Sequence, residues 1–261
     1  MLATSNVFST STYVEIAGIK IRYKVGGAGK QILLLHGWGG SIESFELFFD
    51  RLAKFYEVFV LDLPGHGKSG LPPKAWSVSD YSNFVRQVMD TLKLTSPHII
   101  AHSFGGRVAI KLAAAYPERV GKLILANSAG IRTQRSPKYY LRVFLAKMGK
   151  YLAKSCGQPG KMIRDRIYQV IESRDYANAG PLRETFIRVV NEDLRSVLPD
   201  IKSPTLLIWG EEDKETPVSS GRLMKRLIPI ASLSILKNAG HFSYIDQSGK
   251  FYLIAEKFLR E

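Results

Sequence analysis

The first residues that suggest chemistry are a serine and the small residues around it, at the end of an apolar run. Ser103 follows the apolar residues 99–101, and Gly105 stands two positions after it. The apolar run predicts a buried strand, and the apolar spacing over 108–116 predicts a helix. A strand, a sharp turn and a helix lift a serine hydroxyl above the edge of a parallel sheet, where it can attack a carbonyl carbon. The alternative is an ordinary turn with a capping serine, and Ala101 stands where such turns usually carry glycine.

A serine hydroxyl is a poor nucleophile at neutral pH. It needs an imidazole to take its proton and a carboxylate to orient that imidazole. Two later residues follow predicted strands directly: Asp213 comes after the run 205–209, and His241 comes after 231–236. Because loops after parallel strands meet at one edge of a sheet, we expect Ser103, Asp213 and His241 to converge. Their order along the chain is the order of hydrolases that carry a nucleophile elbow.

A glycine-rich loop at 36–41 follows another buried strand, 32–35. Glycines in that place leave backbone N–H groups exposed, and acyl transfer needs such donors for the oxyanion of its tetrahedral intermediate. We predict that the donors are the amides of Trp38 and of Phe104, the residue after the serine. The alternative is a plain connection between strand and helix. His36 is expected to form structural hydrogen bonds.

The composition restricts the classes of function. The chain has 261 residues, 45% of them hydrophobic, with one cysteine and five histidines. No window approaches the roughly 18 apolar residues of a membrane span, so we expect no integral membrane segment. Residues 1–12 lack the basic and apolar regions of a secretory signal. One cysteine favours a cytoplasmic location, and the scattered histidines predict neither a metal nor a cofactor.

The net charge of +14 is high, and the segment 132–198 holds 14 basic and 6 acidic residues. A basic surface can attract nucleic acid, membranes or acidic substrates. No compact cluster of Lys and Arg alternates with aromatic residues, as nucleic-acid modules require. We therefore expect a solvated basic face, a small-molecule substrate and no nucleic-acid partner.

Apolar runs and helical patterns alternate along most of the chain, which predicts an α/β fold with a mostly parallel central sheet flanked by helices. Residues 13–25 predict a β-hairpin. Helices are expected at 42–54 and 79–92, and a strand at 120–126. The turn-rich loop 62–70 follows a strand, and its Asp and His residues are interpreted as stabilising the turn.

The alternation stops between residues 131 and 199. We interpret 132–198 as a helical cap inserted after the sixth strand, over a core formed by 1–131 and 199–261. Helices with one apolar face at that edge would cover a substrate pocket and exclude water. Three amphipathic patterns support the cap, at Tyr140–Leu152, Ile163–Ile171 and Phe186–Leu198.

Taken together, five motifs resemble those of the α/β-hydrolase fold superfamily over nearly the full chain. The motifs are His36-Gly37-Trp38-Gly39, Asp62-Leu63-Pro64-Gly65-His66-Gly67-Lys68-Ser69, Ala101-His102-Ser103-Phe104-Gly105-Gly106, Trp209-Gly210-Glu211-Glu212-Asp213 with Pro217, and Ala239-Gly240-His241. The resemblance implies Ser103 as nucleophile, His241 as general base and acid, and Asp213 as the orienting carboxylate. It also implies that the amides of Trp38 and Phe104 form the oxyanion hole.

Competing acids lie close to Asp213 in the sequence: Glu211, Glu212 and Glu215. Asp213 is preferred because it holds the family position before the proline, and the glutamates are expected to be solvated. Some relatives take this acid from the strand that ends near Asn127, but an amide cannot be the anionic partner.

Other relatives open epoxides or displace halide with an aspartate nucleophile, and Ser103 argues against both reactions. The leading hypothesis is hydrolysis of a small carboxylic ester through an acyl-enzyme. One alternative is hydrolysis of a C–C bond in an anionic keto-acid, because Arg107 and arginines of the insertion could bind a carboxylate. The other is a binding protein without catalysis. Gly37, His102 and Arg107 are expected to contact substrate.

Overall fold

The computed structural model describes residues 11–132 and 179–261. The strands in these ranges are Thr12–Ile16 (β1), Ile19–Gly26 (β2), Gln31–Leu35 (β3), Glu57–Leu61 (β4), His98–His102 (β5), Leu123–Ala126 (β6), Thr205–Gly210 (β7) and Ala231–Leu236 (β8). The α-helices are Glu46–Leu52 (α1), Val78–Thr91 (α2), Phe104–Ala115 (α3), Arg183–Asn191 (α4), Val218–Leu227 (α5), Ser243–Asp246 (α6) and Ser248–Arg260 (α7).

The strands form one sheet in the order β1-β2-β4-β3-β5-β6-β7-β8. β1 pairs with β2, and β2 with β4, in antiparallel fashion, which confirms the predicted hairpin. All other pairs are parallel. The mostly parallel α/β fold is therefore confirmed. Its consequence for the site is that the loops after β3, β5, β7 and β8 leave the sheet at one edge.

The sheet separates two hydrophobic cores. Successive side chains of a strand point to opposite faces, so Leu33 and Leu35 of β3 pack into one core, while Ile32 and Leu34 pack into the other. Helices α2, α3 and α5 cover the first face. Helices α1, α6 and α7 cover the second. Burial on both faces explains why the central strands are continuous apolar runs rather than alternating ones.

Two predicted elements have different bounds in the structure. The segment expected to be one helix over 42–54 begins as a 3₁₀ turn at Ile42–Phe45 and continues as α1. The buried carboxylate of Asp62 fixes that start by accepting the Ile42 amide at 2.7 Å. The strand expected at 120–126 begins only at Leu123. Its preceding amide, that of Lys122, donates to His98 Nδ1 at 2.9 Å instead.

The segment proposed as a cap is described only at its C-terminal end. The patterns at 140–152 and 163–171 lie outside the described residues. The third pattern forms α4 and then a 3₁₀ helix at Arg195–Asp200, separated by the extended backbone of Glu192. α4 is fixed to the core because the Trp76 amide donates to Thr185 Oγ1 at 3.1 Å.

The turn at the start of α3 depends on a glycine. A Cβ atom on Gly105 would lie 2.3 Å from the carbonyl oxygen of Leu35, which belongs to a central strand and cannot move away. We expect Gly105→Ala to lower the free energy of unfolding by about 1–3 kcal/mol, the usual cost of overpacking. Urea unfolding followed by circular dichroism measures the change.

Gly249→Ala is the matched control, because no heavy atom lies within 4 Å of the position where its Cβ would stand in α7. This variant should be neutral or slightly more stable, since alanine favours the helix. Equal stability of the two variants would show that the contact with Leu35 is not a constraint.

Candidate active site

Ser103 lies between β5 and α3 with a backbone φ of 48° and ψ of −110°. Non-glycine residues rarely adopt this conformation, and it persists only where the surroundings enforce it. Four hydrogen bonds do so: the Ser103 amide donates to Ala126 O at 3.2 Å, and the Ser103 carbonyl accepts from the amides of Gly106 (3.0 Å), Ala129 (3.1 Å) and Arg107 (3.4 Å). The strained turn therefore fixes the direction of the serine side chain.

The structure brings Ser103, His241 and Asp213 into one chain of hydrogen bonds. Ser103 Oγ lies 3.0 Å from His241 Nε2, and His241 Nδ1 lies 2.9 Å from Asp213 Oδ2. A carboxylate only accepts, so Nδ1 carries the hydrogen in this arrangement. Nε2 is then the acceptor that faces the serine hydroxyl, which is the geometry that proton transfer from the hydroxyl requires.

Asp213 is 5% exposed, and both of its oxygens are occupied. Oδ1 accepts the amides of Glu215 (2.8 Å) and Thr216 (2.9 Å). Oδ2 accepts the Thr216 hydroxyl (2.6 Å) and the Asn127 amide (2.6 Å) besides the imidazole. Burial would raise the pKa of Asp213, but the hydrogen bonds from His241, Thr216 and Asn127 outweigh it and lower the pKa to about 2. The carboxylate is therefore charged at neutral pH.

Two residues that hold Asp213 were missed in the sequence. Asn127 was considered only as a possible acid, yet its buried side chain donates to Asp213 and accepts the Ser243 hydroxyl at 2.5 Å. Thr216 was given no role. The signal for Asn127 was its place after a strand at the same sheet edge. Nothing comparable indicated Thr216.

His102 packs against the imidazole of His241, and Gly37 packs against His102 and Ser103. His102 is 2% exposed, its ring centroid lies 4.8 Å from that of His241, and its Nε2 lies 3.0 Å from the His241 carbonyl. Burial lowers the pKa of His102 to about 3, so the ring is neutral. A Cβ on Gly37 would lie 2.8 Å from His102 Nδ1. Neither residue lines the cavity at Ser103, contrary to the expectation of substrate contact.

The amides predicted to bind the oxyanion come from two neighbouring segments. Phe104 is the first residue of α3, where an amide has no partner within the helix. Within residues 11–132 and 179–261, neither the Trp38 nor the Phe104 amide is bonded to a protein acceptor. The two side chains pack edge to face with ring centroids 5.2 Å apart, so the loop after β3 lies against the start of α3.

His36 holds the loop that carries Trp38. Its side chain is fully buried, its Nε2 accepts the Leu63 amide at 2.9 Å, and its Nδ1 lies 2.7 Å from the Gly37 carbonyl. Burial lowers the pKa of His36 to about 4, so the neutral ring can accept at one nitrogen and donate at the other. The position matches the structural role expected from the sequence.

A cavity of about 480 Å³ opens in front of Ser103 and His241. Described residues of both charges and several apolar ones line it: Trp38, Phe104, Arg107, Ser128, Ala129, Ile131, Arg132, Phe186, Val189, Val190, Asn191, Glu215, Thr216 and Ser220. Of the expected substrate contacts, Arg107 does line this cavity. It is 6% exposed, donates to Glu192 O at 2.7 Å, and burial lowers its pKa to about 10, so it remains charged at neutral pH.

The glutamates near Asp213 are exposed, as expected, but one of them also contacts the imidazole. The side chain of Glu215 is 64% exposed, and its Oε2 lies 3.3 Å from His241 Nε2. In the described part of the chain, no three His, Cys, Asp or Glu residues are grouped to hold a metal ion. No helix there is long and apolar enough to cross a bilayer.

Comparison with known proteins gives a match at the level of a family and several named relatives. A family model described as alpha/beta hydrolase fold matches residues 30–180. The 2-hydroxy-6-oxononadienedioate/2-hydroxy-6-oxononatrienedioate hydrolase of Paraburkholderia phymatum is 27% identical over 96% of each chain.

Solved structures agree with this match in fold. A membrane phospholipase A has a TM-score of 0.77 at 25% identity, over 97% of this chain and 86% of its own. The enol-lactonase of Burkholderia xenovorans LB400 has a TM-score of 0.75 at 24% identity, over 96% of this chain and all (100%) of its own. The similarity extends over nearly the whole chain in both cases.

Removing the Thr216 hydroxyl tests how Asp213 is held. Thr216→Val keeps the side-chain shape but takes one donor from the buried carboxylate, so we expect the free energy of unfolding at pH 7 to fall by about 1 kcal/mol. Thr216→Ser, which keeps the hydroxyl, is the matched control. Urea unfolding of the three proteins measures the difference.

The pH dependence gives a second measurement. The pKa of Asp213 in the folded protein is about 2, below its ordinary 3.8, so its stabilisation is complete above about pH 4 and is lost as pH falls towards 2. The valine variant has a less depressed pKa, so its deficit relative to wild type should shrink as pH falls through the folded-state pKa values, towards pH 2. A deficit that stays constant from pH 7 down to pH 2 would contradict the assigned hydrogen bond.

Proposed function

The chain belongs to the α/β-hydrolase fold family, and on that premise we propose that it hydrolyses a small carboxylic ester through an acyl-enzyme on Ser103. The observation that carries the proposal is the hydrogen-bonded chain from Ser103 Oγ through His241 to Asp213, with distances of 3.0 and 2.9 Å. The cavity in front of it has a size suited to a small ester.

In the proposed reaction, Ser103 Oγ attacks the ester carbonyl carbon while its proton passes to His241 Nε2. Asp213 stabilises the resulting imidazolium through Nδ1–H. The carbonyl oxygen becomes an anion, and the Trp38 and Phe104 amides donate to it. When the intermediate collapses, the C–O bond to the alcohol breaks and His241 returns the proton to that oxygen. Water then attacks the acyl-enzyme with the same histidine as base, which releases the acid and restores Ser103.

The segment 132–198 is proposed as the cap that covers this reaction. Its described end supports that role because Phe186, Val189 and Val190 of α4 line the cavity. The Phe186 ring also packs on Trp38 with centroids 5.0 Å apart. Apolar side chains in this place would bind an acyl chain and limit the access of water. With one cysteine in its sequence, the protein is proposed to work in a reducing, cytoplasmic compartment.

A second candidate function is hydrolysis of a C–C bond in an anionic keto-acid. It is favoured by the relative named as a dienedioate hydrolase, at 27% identity over 96% of each chain. Arg107 also lines the cavity with a charged guanidinium. Against it stands the carboxylate of Glu215, which lies 3.3 Å from the nitrogen that must face the substrate. A binding protein without catalysis remains the third candidate, and ligand-induced stabilisation without turnover would favour it.

Replacing the nucleophile tests the proposal directly. Ser103→Ala should lower kcat/KM for 4-nitrophenyl acetate and butyrate by about 10³-fold or more, because it removes the hydroxyl that lies 3.0 Å from His241 Nε2. Ser219→Ala is the matched control, since this serine is exposed in α5 near the cavity and should retain full activity. Undiminished hydrolysis by Ser103→Ala would refute the assignment.

The two candidate reactions differ in the charge of the substrate. We expect kcat/KM for neutral 4-nitrophenyl butyrate to exceed that for 2-hydroxy-6-oxo-6-phenylhexa-2,4-dienoate by about tenfold or more, because Glu215 repels an anion. Absorbance assays of both substrates on wild type and Ser103→Ala measure this. Faster cleavage of the dienoate would favour the C–C hydrolase.

A further inference from the structure

Glu215 occupies a place at the imidazole that the proposed reaction does not use. Its backbone amide is fixed because it donates to Asp213 Oδ1 at 2.8 Å. Its side chain extends back into the cavity, where Oε2 lies 3.3 Å from His241 Nε2. Among the described residues, Glu215 and Asp213 are the acidic side chains that contact His241. They do so at opposite nitrogens of the ring.

Glu215 contacts Nε2 of His241, and this contact indicates which part of a bound substrate lies near Glu215. His241 Nε2 must return its proton to the leaving oxygen, which therefore lies within about 3 Å of Nε2. A carboxylate oxygen at 3.3 Å from the same nitrogen then lies at most about 6 Å from the leaving oxygen. Glu215 Oε2 therefore lies close to the position of the leaving group in a bound ester.

The carboxylates of Glu215 and Asp213 differ in their solvent exposure and in the hydrogen bonds that they accept. Asp213 is buried and accepts hydrogen bonds from Glu215, Thr216, Asn127 and His241. The carboxylate of Glu215 is 64% exposed towards the cavity and the solvent. Two arginines also line the cavity: Arg107 is buried and directs its guanidinium to the Glu192 carbonyl at 2.7 Å, and Arg132 is exposed. A cation on the leaving group would meet a carboxylate that is open to it.

We propose that Glu215 is a specificity-determining residue that makes the cavity selective for esters of cationic alcohols, such as quaternary amino alcohols. The inference rests on the proposed ester hydrolysis through Ser103. An ammonium two carbons beyond the ester oxygen is within reach of Glu215 Oε2. The same carboxylate disfavours leaving groups that carry a negative charge.

The test compares two esters with the same acyl group and nearly the same shape. Butyrylcholine carries a quaternary ammonium, and 3,3-dimethylbutyl butyrate has a neutral carbon in its place. The ratio of their kcat/KM values should fall about tenfold in Glu215→Gln, between the factors of about 3 and about 100 that a unit-charge pair about 6 Å apart gives in water and near a protein surface. Any effect of the variant on His241 alters both esters and cancels in the ratio.

Glu212→Gln is the matched control, because it removes the same charge from the same exposed loop and its side chain makes no contact with His241. Its ratio should stay at the wild-type value. An unchanged ratio in Glu215→Gln, or an equal fall in both variants, would overturn the inference.

Failure of the proposed ester hydrolysis can be distinguished from failure of the proposed selectivity for cationic alcohols. If wild type turns over neither butyrylcholine, 3,3-dimethylbutyl butyrate nor 4-nitrophenyl butyrate, ester hydrolysis is refuted, and the inference is tested by calorimetry of choline and 3,3-dimethylbutanol. Tighter binding of choline that Glu215→Gln reduces about tenfold would support the cation site. Equal binding of the two alcohols to wild type would overturn it. Turnover of 4-nitrophenyl butyrate but of neither of the other two esters would also overturn the inference.

Discussion

The buried charge of Asp213 is the interaction on which the geometry of the site depends. A carboxylate that is removed from water is stable only when hydrogen-bond donors replace the solvent. Here the donors come from three separate segments: its own loop with the Glu215 and Thr216 amides, the end of β6 with Asn127, and the loop after β8 with His241. One anion therefore joins three loops that are far apart in the sequence.

Close packing at the same edge of the sheet is a second constraint on the site. The turn at Ser103 brings the start of α3 so close to β3 that a Cβ on Gly105 would meet the Leu35 carbonyl at 2.3 Å. On the other side, a Cβ on Gly106 would lie 2.0 Å from Ser128 Oγ. This packing holds Ser103 in its unusual backbone conformation, and it also sets the Phe104 amide beside the loop of Trp38. The same close packing thus contributes to the position of the nucleophile and of the proposed oxyanion donors.

Around this fixed centre, the lining of the cavity varies in charge and polarity. Apolar side chains of α4 contribute one part of it, and Arg107 and Glu215 contribute opposite charges. Relatives and structural neighbours of the chain carry names as different as dienedioate hydrolase, phospholipase and enol-lactonase. A family can differ in substrates in this way because function resides in the side chains placed on a fold rather than in the fold itself.

Much of the fold was predictable from the sequence because its signals are local. Continuous apolar runs mark strands buried on both faces, and the hairpin at β1 and β2 follows from alternation around a glycine. The bounds of elements were less predictable. β6 is shorter than the strand expected over 120–126, and the amide of Lys122 donates instead to His98, which is distant in sequence. Periodicity carries no information on such a contact.

The sequence by itself determined the α/β fold and the order in which a serine, an aspartate and a histidine follow strands of one sheet. Tertiary structure alone decided what surrounds them. It placed Asn127 and Thr216 on Asp213, His102 beside the imidazole, and Glu215 against the nitrogen that faces the cavity. The physical reason is that a strand is specified by its neighbours along the chain. The direction of a side chain in a loop depends instead on the donors and charges that other segments bring to it.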